Sequence, residues 1–251
     1  MIILGVDTAT AAGSVALVED GKLIAEEIQS NPGKSSTGTV AQPRANHAEI
    51  VLPLIQSILT KARVAVAQLS GIAISIGPGS FTGLRVGLAT AKGIAYACGL
   101  PLVGVSTLHA TAARVPNFDG VICSLLDARK NEVYFALFRH DGQDLKRLTE
   151  DAMTSIDGAL DQLRNSHRAS GSSLLFIGDG ARTYEKFLTR DFAASAQIFA
   201  GNGYSSMAAQ VVRLAEGRFR AHRTDDLALL VPVYLRPTQA ETKRAQYALT
   251  C

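Results

Sequence analysis

Apolar and polar positions alternate over the first 28 residues and divide them into segments 1–8, 13–19 and 22–28, which predict three short strands. Asp20 and Gly21 separate the second from the third. Asp-Gly between apolar runs predicts a two-residue hairpin turn, because both turn positions need positive φ. Residues 30–45 (SNPGKSSTGTVAQPRA) are polar and lack any apolar period, which predicts a surface loop. The period then changes. Ile50, Val51, Leu54, Ile55, Ile58 and Leu59 recur at helical spacing, so 46–62 reads as a helix with a broad apolar face. Asn46 and Glu49 form a capping-box-like start, and Pro53 is expected to bend the first turns.

A buried strand at 69–76 runs into GPGSFTG and a second helix, 82–98, that contains Gly83, Gly87 and Gly93. A glycine costs about 1 kcal/mol relative to alanine inside a helix, so close approach of another helix is the expected compensation. A strand at 102–105 ends this half. The second half reads as a short helix at 106–115, strands at 121–126 and 132–138, and a helix at 155–163. The loop NSHRASGSS and a strand at 174–177 that runs into GDG come next. A helix from about 181, an amphipathic helix at 205–220 and an apolar run at 229–235 complete it.

The halves repeat one another. ILGVDTATAAGSVALVEDG, from residue 3, and CSLLDARKNEVYFALFRHDG, from residue 123, each contain a strand ending in Asp, a polar turn, an apolar strand and Asp-Gly. Two related α/β lobes are expected, with mixed sheets and helices: 1–105, 106–222, and a terminal segment 223–251 that packs on the first lobe or hangs free.

Composition agrees with a packed core. The chain has 251 residues, 47% hydrophobic and 19% charged, and a chain of this size buries about 70% of its surface on folding. There is no tryptophan and aromatics are 6%, which gives no stacking platform for single-stranded bases. No apolar run is long enough for a membrane span. The opening MIILGVDTAT lacks a basic stretch and meets Asp7 early, so no signal peptide is expected. Cys98, Cys123 and Cys251 form no C-x-x-C pair, which fits a reducing cytoplasm and inert thiols in apolar surroundings. The net charge of +3 neither requires nor excludes nucleic acid.

Candidate chemistry is sparse. Asp7 and Asp127, each at a strand end, are candidates to hold a metal-bound nucleotide phosphate across a cleft, or else cap their own turns. GPGSFTG stands where a helix N-terminus can meet an anion, but it lacks the Lys-Ser/Thr of a P-loop and the spacing of a dinucleotide fingerprint; the alternative is a tight strand-to-helix turn. His47 has Val51, not histidine, four residues on, so no zinc pair forms. Ser80 lacks the spacing of a nucleophile elbow. Arg213, Arg218, Arg220, Arg223, Arg236, Lys243 and Arg244 outnumber nearby acids seven to four, either as an RNA-facing patch or as a solvated face.

Taken together, ILGVDTAT…SVAL, NHAEIVLP, SIGPGSFTGLRVGLATAKGIA, LLDARKNEVYFALF and PVYLRP resemble the TsaB (YeaZ) family over nearly the whole chain. The resemblance implies a two-lobed fold of the actin, sugar-kinase and heat-shock-protein superfamily. It implies a non-catalytic subunit that pairs with the catalytic subunit TsaD and recruits the ATPase TsaE, for N6-threonylcarbamoylation of the adenosine next to the anticodon in tRNA. Catalytic relatives carry His-x-x-x-His where this chain has His47 and Val51, which fits lost catalysis. No cofactor is then expected on this chain, ATP and magnesium being used by the wider complex, and tRNA is met indirectly. The family's partner surface falls on helices 46–62 and 82–98, with Leu54, Ile58, Val86 and Ala89 expected to face outward and Arg85 at the rim. A homodimer through the same helices is expected when the chain is alone. The alternative is an active enzyme of the same fold, an ATP-dependent enzyme or a metallohydrolase using Asp7 and Asp127.

Overall fold

A computed structural model describes residues 1–10, 12–30, 47–142, 144–170, 172–192, 195–199 and 206–236, with the backbone alone at 30, 47–49 and 166–170. The 31–45 loop, the Asn46–Glu49 cap, the His47 side chain, Cys251 and the tail from 237 lie outside the residues so described.

Strands β1 (Ile2–Asp7), β2 (Ala12–Glu19) and β3 (Lys22–Ser30) form an antiparallel meander. Its second turn is the expected one: Asp20 and Gly21 have φ of 46° and 79°, and Glu19 faces Lys22. Helix α1 (His47–Ala62) keeps Pro53 on its exposed side. Strand β4 (Leu69–Gly77), helix α2 (Phe81–Cys98) and strand β5 (Leu102–Ser106) complete a sheet of order β3-β2-β1-β4-β5, with β1, β4 and β5 parallel.

The second lobe repeats that order. After helix α3 (Thr107–Ala112) come β6 (Val121–Arg129), β7 (Glu132–Asp141), β8 (Asp144–Arg147) and β9 (Ala152–Ser155). Helix α4 (Ile156–Ser170), β10 (Leu174–Ile177), α5 (Asp179–Thr183), α6 (Glu185–Phe192), β11 (Ala196–Ile198) and α7 (Met207–Arg220) complete the lobe. The sheet order is β11-β10-β6-β7-β8, with β9 on β7; β6 pairs antiparallel with β7 and parallel with β10, as β1 does with β2 and β4. The predicted repeat is therefore a repeat of topology. The predicted loop over 165–173 is corrected: α4 runs to Ser170, because neither proline nor glycine interrupts 159–170.

Each sheet has helices on both faces, and alternate side chains feed separate cores. On the first sheet, Leu4, Val6, Ile72 and Ile74 meet α1 and α2, while Ile3, Ala73 and Val103 meet Val211, Val212 and Phe219 of α7. On the second, Cys123, Leu125, Phe135 and Phe176 meet α4 to α6, while Ile122, Leu126 and Phe138 meet Leu108 and Ala112 of α3. The inner helices are thus exchanged. Helix α3 comes after the first sheet in the chain yet packs on β6 and β7; α7 comes after the second sheet yet packs on β1, β2, β4 and β5. The 106–222 boundary is corrected to that extent, because α7 covers an apolar face of the first sheet. Residues 225–234 also pack on the first lobe, where Leu227 and Leu230 touch its core.

Candidate functional site

The strand ends carry the repeated aspartates. Asp7, at the end of β1, is fully buried. Its Oδ1 accepts from the Ala9 N–H at 3.2 Å and from Ser75 Oγ, and its Oδ2 accepts from Thr10 Oγ1 at 2.8 Å. The neighbouring loop closes onto the same turn. Ser80 N–H donates to the Ala9 carbonyl at 2.8 Å, and Thr8 Oγ1 donates to the Gly83 carbonyl at 2.7 Å. Ser80 Oγ caps α2 by accepting from Gly83 N–H at 3.2 Å. GPGSFTG is therefore a strand-to-helix turn whose Ser80 and Gly83 amides are engaged within the chain. Asp7 shows the turn-capping alternative and offers no exposed face to a metal-bound phosphate, so the phosphate-holding expectation is corrected at this residue.

Asp127, near the end of β6, is half-buried. Its Oδ1 accepts from Arg129 N–H at 2.8 Å, and its own N–H donates to Asp179 Oδ1 at 3.0 Å. Desolvation and the facing Asp127 carboxylate raise the pKa of Asp179 above the ordinary aspartate value, against the pull of N–H groups at Asp127 and Gly180. Burial, then Asp127, also raises the Tyr184 hydroxyl. Arg129, Lys130 and Asn131 all have positive φ in the β6–β7 turn. Asp179, whose carboxylate accepts from the Asp127 N–H, is the neighbour of Asp127 that the sequence did not single out; the GDG after β10 was its signal. Among the described residues, no group of three or more acid, histidine or cysteine side chains is placed to hold a metal ion.

The helix surface differs from expectation. Leu54 and Ile58 are 8% and 0% exposed and belong to the first core, so their outward assignment is corrected: they are on the face of α1 that meets the sheet. Val86 is half-buried, whereas Arg85 and Ala89 are exposed. The outward apolar residues are Leu52 on α1, 54% exposed, and Phe81 and Tyr96 on α2, the latter 84% exposed. On α2, Ala89, Gly93 and Ala97 are exposed, and a Cβ at Gly93 would meet nothing within 4 Å. The compensation expected for the helix glycines is instead split. Gly87 admits the side chain of Thr8, whose Oγ1 stands 2.1 Å from where a Cβ would be. Arg85 lies over Phe81 at 3.9 Å and donates through Nε to Tyr234 Oη at 2.8 Å. Val51, four residues after His47, is a buried core residue.

Other candidates resolve simply. Cys98 is exposed at the end of α2, contrary to the expectation of a core thiol; Cys123 is buried, which raises its pKa strongly. Several basic residues of the C-terminal region are paired: Arg218 with Asp225, Arg220 with Glu216, Arg236 with Glu132. His109 on α3 stacks on Phe138 at 5.1 Å, and its Nε2 is buried without a hydrogen-bond partner among the described residues. Burial, then Arg147, lowers its pKa, against the Leu145 carbonyl and Asp151. Among the described residues no helix is long and apolar enough to cross a membrane.

The family model described as TsaD, tRNA N6-adenosine threonylcarbamoyltransferase, matches residues 27–244. Over 243 residues the chain is 28% identical to the tRNA threonylcarbamoyladenosine biosynthesis protein TsaB of Bacillus subtilis, covering 97% of each. The solved structure of YeaZ from Pseudomonas aeruginosa aligns with a TM-score of 0.72 at 23% identity, over 93% of this chain and 99% of that one. A ROK hexokinase from Thermus thermophilus aligns with a TM-score of 0.50 at 11% identity, over 88% of this chain and all of that one, a likeness of fold alone. The paired β3-β2-β1-β4-β5 sheets agree with the two-lobed actin, sugar-kinase and heat-shock-protein architecture. With its family model matched over most of its length, the chain belongs to the tRNA N6-adenosine threonylcarbamoyltransferase (TsaD) family, and the expected likeness to TsaB is borne out by its Bacillus subtilis relative.

Proposed function

We propose that this chain is a non-catalytic subunit for N6-threonylcarbamoylation of the adenosine next to the anticodon in tRNA. It pairs with a catalytic TsaD subunit through α1 and α2, and the pair recruits the TsaE ATPase in the cytoplasm. Family membership supports the role in tRNA threonylcarbamoyladenosine biosynthesis. The observation that carries the pairing is the outward face of α2. Ala89, Gly93 and Ala97 form a shallow lane beside Tyr96, and Leu52 stands exposed on the adjoining helix. Gly93 lowers helix stability, and among the described residues nothing packs within 4 Å of where its Cβ would stand. Close approach of a helix from a second protein supplies the offset, and burying Tyr96 and Leu52 supplies apolar contact. Alone, the same lane brings two copies together.

A Gly93→Leu variant separates chain stability from partnering. Leucine is a better helix former than glycine by about 0.5–1 kcal/mol, so thermal stability of the isolated chain rises. The lane is then blocked, so light scattering of an equimolar mixture with TsaD gives separate masses where the unaltered chain gives a heterodimer. Unaltered chain that fails to shift TsaD at micromolar concentration sinks the proposal. Calorimetric titration of ATP with magnesium tests the enzyme alternative. The enclosed Asp7 and the internally bonded GPGSFTG turn support a flat titration, and saturable binding lost in Asp127→Ala would favour the enzyme.

A further inference from the structure

Residues 223–236 leave α7 and cross from one lobe to the other. The path begins on the edge of the first sheet, where Asp225 N–H donates to the Leu102 carbonyl at 2.9 Å. The Asp225 carboxylate accepts from Gly104 N–H at 2.7 Å and from Arg218 at 2.8 Å. Farther on, Val233 N–H donates to the Ile76 carbonyl at 2.7 Å, near the end of β4. The Val233 carbonyl fills the space beside Gly77: it lies 2.6 Å from where a Cβ would be, and Gly77 has φ of +115°. A side chain is excluded there by contact and by backbone conformation alike. Tyr234 packs on Phe81 with ring centroids 5.0 Å apart and accepts from Arg85. Two residues later the chain has reached the second lobe. Arg236 donates to the Ala128 carbonyl at 2.8 Å and pairs with Glu132, on the two arms of the β6–β7 turn.

The end of β4 and the β6–β7 turn are thus bridged by three residues, about 10 Å of extended chain, and one arginine side chain. We infer that residues 231–236 are an interlobe latch, anchored on the first lobe by Val233 and Tyr234 and pinned to the second by Arg236. The two ends differ in kind. The anchor is a backbone hydrogen bond with an aromatic contact. The pin is an ion pair whose partners are 33% and 35% exposed, a pairing that water replaces at little cost. The latch opens at Arg236 and stays attached at Val233. The pinned turn adjoins Asp127 and Asp179, so a ligand or protein that engages this turn must first displace Arg236. The lobes also meet through α3 and α7, packed helices that allow small shear, and through the hydrogen bond from Ser106 at the end of β5 to Asp151 at 2.7 Å.

The test is hydrogen exchange on the full chain, with Arg236→Ala and Glu132→Gln compared with the unaltered protein. A second measurement is the distance distribution between spin labels at Lys22→Cys and Thr189→Cys, in a Cys98→Ser, Cys251→Ser background. Arg236→Ala should speed exchange at 128–133 about threefold to fivefold and broaden the distribution. Glu132→Gln should do both to a smaller degree. Amides of β1 and β10 should keep their rates. Unaltered exchange at 128–133, an unaltered distance distribution, or acceleration spread equally over β1 and β10 would each overturn the latch. If Arg236→Ala fails to fold, Glu132→Gln is read by the same criteria.

Discussion

The turn after β1 and the turn after β6 occupy the same place in two sheets of one topology, yet one is sealed and the other open. In the first lobe Asp7 is enclosed by Ala9, Thr10 and Ser75, and the start of α2 closes over Thr8 and Ala9. In the second lobe Asp127 stays half-exposed beside a second carboxylate, and an arginine from a distant segment holds the turn. A shared strand order therefore does not impose a shared environment on the strand ends. The difference lies in the helix that leaves the equivalent strand of each sheet. After β4 it is the eighteen-residue α2, capped by Ser80; after β10 it is the five-residue α5.

The comparison is broken most directly at the aspartates. Asp7→Ala leaves buried donors without an acceptor and should cost about 3 kcal/mol, whereas Asp127→Ala, which loses a half-exposed turn bond, should cost about 1. Urea unfolding at pH 7 measures both, and equal losses would mean that the two turns are not different in kind. The next effect is steric. Gly87→Ala drives a Cβ into Thr8 and should cost about 2 kcal/mol. Thr8→Ala in the same chain should recover part of it, as a double-mutant cycle reads. A strictly additive pair would place the glycine's role elsewhere than in the seal.

The smallest effect tests the inner face of the second sheet through pH. His109 has a folded pKa below its unfolded value of about 6.5, so the neutral form is favoured on folding. Its contribution is fully present above pH 6.5 and is lost as pH falls toward the folded value. The slope is at most about 1.4 kcal/mol per pH unit. Urea midpoints taken from pH 7 to pH 5 should fall for the unaltered chain and fall less for His109→Phe. Matching slopes would remove His109 from the account.

Much of the fold was legible because its periods are strong. The helix expected at 82–98 spans 81–98, and the Asp20-Gly21 turn has the two positive φ values its composition demands. The short strands β8, β9 and β11 were missed, since DLKR, AMTS and AQI carry too few apolar residues to show a period. The site was less legible. Ser75 reaches Asp7 across 68 residues and Arg236 reaches Ala128 across 108, and no local pattern marks such pairs. The apolar band of α1 extends far enough round the helix that Leu54 and Ile58 looked able to face a partner. Only the position of the first sheet decides that they do not.

The exchanged helices bear on how the chain is made. Proteins emerge from the ribosome N-terminus first, and a domain generally folds once all its parts have emerged. Here the first sheet, synthesised within 106 residues, lacks the cover of one apolar face until Arg220 at the end of α7 has been translated. During that interval Ile3, Ala73 and Val103 have no α7 to bury them. A gene fragment ending between the lobes therefore encodes a first sheet whose inner apolar face lacks its α7 cover.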